Sequence, residues 1–232
     1  MTDAPDPAST ENHRTRVGRE KRERMRRRLL DSVVAVCSGL TASGPAVIDD
    51  VIRHAGVSRG TFYKYFESLE QAIAEVAFEL VDEMVDTVSP YYTTIADPAF
   101  RTATGFQAYL SRAIMDHQWG GFVTHLGLLS GDNVRVLANI KADIRLGVET
   151  GDYAVASVGV AADLLVGAKI EAIRRIIAED LGADYMQAMT ELVLRAFGIT
   201  PTKAAKVVRQ AYAHLCKIGP DTIPWWKPLD PG

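Results

Sequence analysis

Ala55-Gly56-Val57-Ser58-Arg59-Gly60-Thr61-Phe62-Tyr63-Lys64-Tyr65-Phe66 reads as the turn and second helix of a helix-turn-helix, the device that sets one short helix into the major groove of DNA. Gly56 follows the apolar positions Ile48, Val51 and Ile52, where a helix must stop in a left-handed conformation that glycine adopts cheaply. Ser58 is placed to cap the helix that comes next. Phe62 and Phe66, four apart, fall on one face and suit a core. The opposite face carries Ser58, Arg59, Thr61, Tyr63, Lys64 and Tyr65, whose hydroxyl and cationic groups bond phosphate oxygens and base edges. Gly60 lets a backbone approach closely. A tight helical hairpin with a solvated tyrosine face is the plainer alternative for the same residues.

The string A-G-V-S-x-G-T-F-Y-x-Y-F resembles the recognition element of the TetR family of helix-turn-helix transcriptional regulators. The similarity extends weakly over residues 20 to 88 and, beyond them, only as a general helical pattern. It implies an all-α chain with a three-helix DNA-binding head and a connector helix. The body it implies encloses a small-molecule pocket and dimerises. Two positions depart from the family habit: Ala46 stands where threonine is common, and Leu69 where a lysine often reaches a phosphate.

Charge separates the same regions. Residues 12 to 66 hold twelve Lys/Arg against five Asp/Glu, whereas 67 to 232 hold fourteen against twenty-one, as expected if only one end meets a polyanion. Nine of the fifteen residues from Arg14 to Arg28 are basic, and Arg14, Arg16 and Arg19 are candidates for further DNA contacts. The plainer reading of that run is a solvated helix end. Residues 1 to 18 read as a disordered basic arm, 19 to 67 as the DNA-binding unit, 68 to 218 as the ligand-binding and dimerisation unit, and 219 to 232 as a tail. One helix is expected from about Arg19 to Leu40, ended by Thr41 to Pro45. A capping-box pair, Ser68 with Gln71, opens the connector, which Pro90 closes. Asp97-Pro98, Asp132, Gly151-Asp152, Asp184 and Thr200-Pro201 read as later helix starts.

With 47% hydrophobic residues a sizeable core is expected. No apolar run approaches a membrane span and the N-terminus is polar, so a cytoplasmic protein is expected. Cys37 and Cys216 lie far apart without metal-ligand spacing and read as reduced thiols. The helix expected over 154 to 177 is apolar around much of its girth. Together with the next one, at 184 to 197, it suits a two-subunit bundle, with Val158, Leu165, Ile173, Met189 and Val193 at the interface; an intrachain core is the alternative. The resemblance places an apolar effector site among the aromatic and polar residues Phe106, Tyr109, Arg112, Asp116, His117, Trp119, Phe122 and His125.

Catalytic signals are weak. Gly127-Leu128-Leu129-Ser130-Gly131 resembles a nucleophile elbow with the serine one residue late. There is no phosphate-binding glycine loop and no metal-binding motif. No cofactor or metal is expected. The expected partners are an operator DNA duplex, a second copy of the chain and a small, largely apolar effector, but no membrane. A DNA binder without an inducer and an all-helical enzyme are the rival classes.

Overall fold

The computed structural model describes residues 13–40, 46–92, 94–125 and 134–227, and every regular element among them is an α-helix. The readings made for residues 1–12, 41–45, 127–131 and Asp132 lie outside these segments.

Helix α1 (His13–Cys37) starts six residues before the expected Arg19, so residues 13–18 are helical and not a disordered arm. Arg, Lys and Glu are good helix formers, and Glu20 sits within ion-pair reach of Arg16 (3.8 Å) and Arg24 (4.0 Å) one turn to either side. The helix also stops early. Gly39 takes φ 73°, Ser38 Oγ donates back to the Ala35 carbonyl at 2.9 Å, and Leu40, the expected last helical residue, is exposed.

Helix α2 (Ile48–Ala55) begins without a side-chain cap, but Asp49 and Asp50 occupy its first turn, where the helix dipole favours them. Gly56 ends it at φ 62°, ψ 41°, with its N–H returned to the last turn. Helix α3 (Arg59–Phe62) is a short α segment that continues as hydrogen-bonded turns to Phe66, through Lys64 N–H to Thr61 O and Tyr65 N–H to Phe62 O. Phe62 and Phe66 stack with centroids 5.4 Å apart and are buried with Leu29, Leu30 and Val33 of α1 and Val51 of α2.

Helix α4 (Leu69–Tyr92) opens on the expected pair: Ser68 Oγ accepts from Gln71 N–H at 3.1 Å, while Gln71 Oε1 accepts from the Glu67 N–H. Pro90 lies inside its last turn, so the helix runs two residues past the expected end. Helix α5 (Pro98–Met115), capped by Asp97 on Phe100 N–H at 2.9 Å, is buried around most of its circumference. It touches α4 and also α6 (His117–His125), α7 (Val134–Glu149), α8 (Val158–Glu179), α9 (Ala183–Ala196) and α10 (Pro201–Thr222). Some of its polar groups find partners inside that packing. Gln107 Nε2 donates to Val208 O at 3.1 Å, and Tyr153 OH lies 2.7 Å from both Pro98 O and Thr102 Oγ1.

Two further helix ends differ from the sequence reading. Gly151-Asp152 does not start α8; Asp152 instead pairs with Lys203 at 2.8 Å, and Ser157 caps the helix five residues later. Helix α10 absorbs Gly219 and Pro220, where the tail was expected to begin, because the Trp226 ring packs directly over Gly219. Head and body share one core, joined where α1 meets α4 and α6. At that joint a Cβ on Gly121 of α6 would meet the Ser38 carbonyl oxygen, so glycine is what permits the approach.

Candidate functional sites: the head surface and the body pocket

The polar face of the turn is presented as its sequence suggests. Ser58 Oγ accepts from Thr61 N–H at 3.2 Å and shares a hydrogen bond with Thr61 Oγ1 at 2.9 Å, so both hydroxyls hold the helix start. Ser58, Arg59, Gly60, Tyr63 and Lys64 are exposed, whereas Thr61 and Tyr65 are half-buried. Arg59 lies 3.7 Å from Asp49, an exposed pair that costs little to break. Alongside, Gly18, Lys21, Arg22 and Met25 of α1 form a groove with Thr61, Lys64 and Tyr65. The early turns of α1 and the recognition helix therefore share one cationic surface. Arg16 and Arg19 are exposed on those turns, and Arg14 lies on the helix with its side chain outside the described residues. Farther along, Arg26 pairs with Glu75 and Glu79, and Arg27 with Asp31 and Glu79. Arg26 and Arg27 are thus engaged by acidic groups of α1 and α4.

The eight effector candidates divide among different places. Phe106 and Tyr109 line a narrow pocket, partly open to solvent, between α4, α5, α7 and α8. Arg112, Asp116 and Trp119 line a separate groove with Arg27, Asp31, Glu79 and Glu83, between head and body. There the Arg112 guanidinium sits 4.9 Å from the Trp225 ring and 5.8 Å from Trp119, and 3.5 Å from Glu83. Burial lowers its pKa, with Glu83 and then Asp116 opposing that shift. Phe122 is wholly buried in the core, His117 lies at the surface 3.8 Å from Asp180, and His125 lies against Gly39. These six are not part of the α4–α5–α7–α8 pocket. The periodicity of α5 and α6 marks buried positions without saying which of them face a void.

Sequence reasoning missed the polar groups of that pocket. Arg101 of α5 pairs with Asp143 of α7 at 2.7 Å. Burial nevertheless raises the Asp143 carboxyl to about 6, against the pull of Arg101. Lys169 of α8 is 3% exposed and its ammonium lies 3.9 Å from the centre of the Tyr109 ring. No carboxylate of the described residues forms an ion pair with it, and burial alone pushes it down to about 7. A cation–π contact contributes about 0.5–2 kcal/mol, while removing an ammonium from water costs several. The charge is left underserved. The chain offered a signal in the lone cation of the stretch from Val158 to Ile173, but that stretch reads as an interface helix.

The interface candidates also need correction. Leu165, Ile173 and Val193 are buried within the subunit, because α5, α6, α7 and α9 of the same chain cover α8 on several sides. Val158 and Met189 are half-buried. The apolar residues these helices leave exposed are Val160 (68%), Leu164 (47%) and Leu192 (57%).

A helix-turn-helix head on an all-helical body with an internal pocket is the architecture of a DNA-binding transcriptional regulator. Residues 97–210 match the tetracycline repressor-like C-terminal domain. The chain belongs to the TetR family. It is similar to the crystal structure of RolR in complex with resorcinol, at 25% identity over 82% of this chain and 95% of that one, with a TM-score of 0.60. FadR from Bacillus subtilis, in complex with stearoyl-CoA, is similar in fold at 17% identity over 74% and 96%, with a TM-score of 0.59. A tetR-family regulatory protein from Rhodococcus RHA1 aligns at 14% identity over 76% and 98%, with a TM-score of 0.62. No curated protein sequence matches the chain. Among the described residues no helix is long and apolar enough to cross a membrane.

Proposed function

We propose that the protein is a homodimeric repressor that binds a palindromic operator through two heads, built from residues 19–67, and is released when a small, largely apolar molecule enters the body. The carrying observation is the position of α4. Its first turns follow the recognition helix by three residues and meet Arg26 and Arg27 through Glu75 and Glu79, while Met84, Val85, Val88 and Ser89 farther along form one wall of the pocket. A ligand that prefers one placement of α4 therefore biases the spacing of the heads, and it acts only through its different affinity for the two placements. The relatives' ligands, resorcinol for RolR and stearoyl-CoA for FadR, support a body site for organic effectors.

The dimer is assigned to the outer face of α8 and α9 around Val160, Leu164 and Leu192. Arg59 and Thr61 face base edges, while Tyr63, Lys64 and Tyr65 grip phosphates. The test is a gel shift on the chain's own promoter region, repeated with compounds chosen because they raise the melting temperature. Such compounds should also lower operator affinity. Stabilisation without any loss of DNA binding would overturn the release step.

A further inference from the structure

The polar inventory of the body pocket is lopsided. Its apolar wall comes from Met84, Val85 and Val88 of α4, Phe106 of α5 and Leu165 of α8. Arg101 and Asp143 form an ion pair at 2.7 Å. Lys169 is the exception, a buried ammonium lining the pocket whose partner is an aromatic face and not an anion. A structural lysine in a core normally comes with a carboxylate or is replaced by an apolar residue of like volume. Here neither has happened.

We infer that the effector is a small apolar monoanion, an aromatic or medium-chain carboxylic acid, whose carboxylate pairs with Lys169 while its hydrocarbon part lies against Phe106, Leu165 and the α4 wall. This rests on the proposed effector site and adds the ligand's charge to it. The carboxylate brings into the pocket the counter-charge that the chain omits, and the Tyr109 ring beneath the ammonium orients it. The other titratable groups on the pocket wall are Tyr109 and Arg101 from α5 and Asp143 from α7, and α4 presents none. At pH 8 Asp143, raised only to about 6, is already ionised, whereas Lys169, lowered to about 7, is mostly neutral. Pairing with an anion restores the ammonium, so binding at that pH takes up a proton.

The test uses the full-length protein, titrated calorimetrically at pH 8 in two buffers of different ionisation heat. Three matched pairs serve as probes: benzoate and benzamide, phenylacetate and phenylacetamide, octanoate and octanamide. At least one acid should bind about tenfold or more tightly than its amide. Binding should take up about one proton per subunit, and Lys169→Met should abolish both the preference and the uptake. The variant folds if its helical circular dichroism and melting transition are kept, and the removal of an unpaired charge should raise that transition. Amides that bind as well as acids, or a preference that survives Lys169→Met, would overturn the charge assignment and leave the pocket standing. Failure of all six probes to bind the parent would overturn the charge assignment along with the effector site.

Discussion

The head and the body solve opposite electrostatic problems. The head keeps its cations in water, with Arg59 and Lys64 exposed and the Arg59–Asp49 pair at 3.7 Å easily exchanged for phosphate. The body takes Lys169 and the Arg101–Asp143 pair out of water around a pocket lined by apolar side chains. A surface built for a polyanion needs only rigid, exposed donors, since the partner brings the charge and released counterions supply much of the affinity. A pocket within the body must hold its polar groups largely out of water before the ligand arrives. Unsatisfied charge is tolerable there only if the bound state relieves it. The head should therefore fail through lost geometry, and the body should gain stability from substitutions that impair it as a site.

The largest effect expected is at Phe62, wholly buried under the recognition helix. Phe62→Ala should cost about 3–5 kcal/mol, read as an early unfolding transition of the head in urea. Retained stability would mean that the head core does not depend on that ring. On the body side, Leu164→Glu should convert a sedimenting dimer into a folded monomer, whereas an unchanged dimer would place the interface elsewhere.

Next, Arg59→Ala should relax preference at one base position by about 1–3 kcal/mol if its contact is bidentate, while Lys64→Ala weakens all sequences alike. Equal losses on every sequence for both variants would erase that division of labour. Lys169 supplies the contrasting sign. Its folded pKa, about 7, is depressed below the ordinary 10.5, so between pH 7 and about 10 the unfolded chain binds more protons and stability rises with pH. Lys169→Met should flatten that rise and lift the melting temperature at pH 7. Asp143, raised to about 6, acts in a lower window: from about pH 4 to 6 the folded state holds more protons and stability falls as pH rises.

The smallest effect concerns the start of α1. Deleting residues 1 to 18 removes Arg14 and Arg16, and should flatten the slope of log affinity against log salt by up to about two units per head. An unchanged slope with the head still folded would show that those turns are merely solvated.

The head was legible because its devices are local. Gly56 and Ser58 act within three residues, and Phe62 with Phe66 declares a face by spacing alone. The body was legible only as helices. In sequence Leu165 and Ile173 suit a partner-facing seam, yet both are buried within the subunit, because periodicity reports how much of a helix is covered, not which chain covers it. The pocket draws on four helices between Met84 and Lys169, and no window of sequence holds that arrangement. The aromatic stretch from Phe106 to His125 reads in sequence as one site, yet it serves the pocket, the Arg112 groove, the core and the surface.

The approach of Gly121 to the Ser38 carbonyl gives the joint between α6 and α1 a mechanical character. Two backbones in direct contact have no pliant side chain between them to soak up motion, so the coupling has almost no play. A displacement of α6 toward the head would press on the backbone that follows α1, like a push through a gear with little backlash. Gly121→Ala would insert a shim there and reset the angle between the two helices, whatever occupies the body.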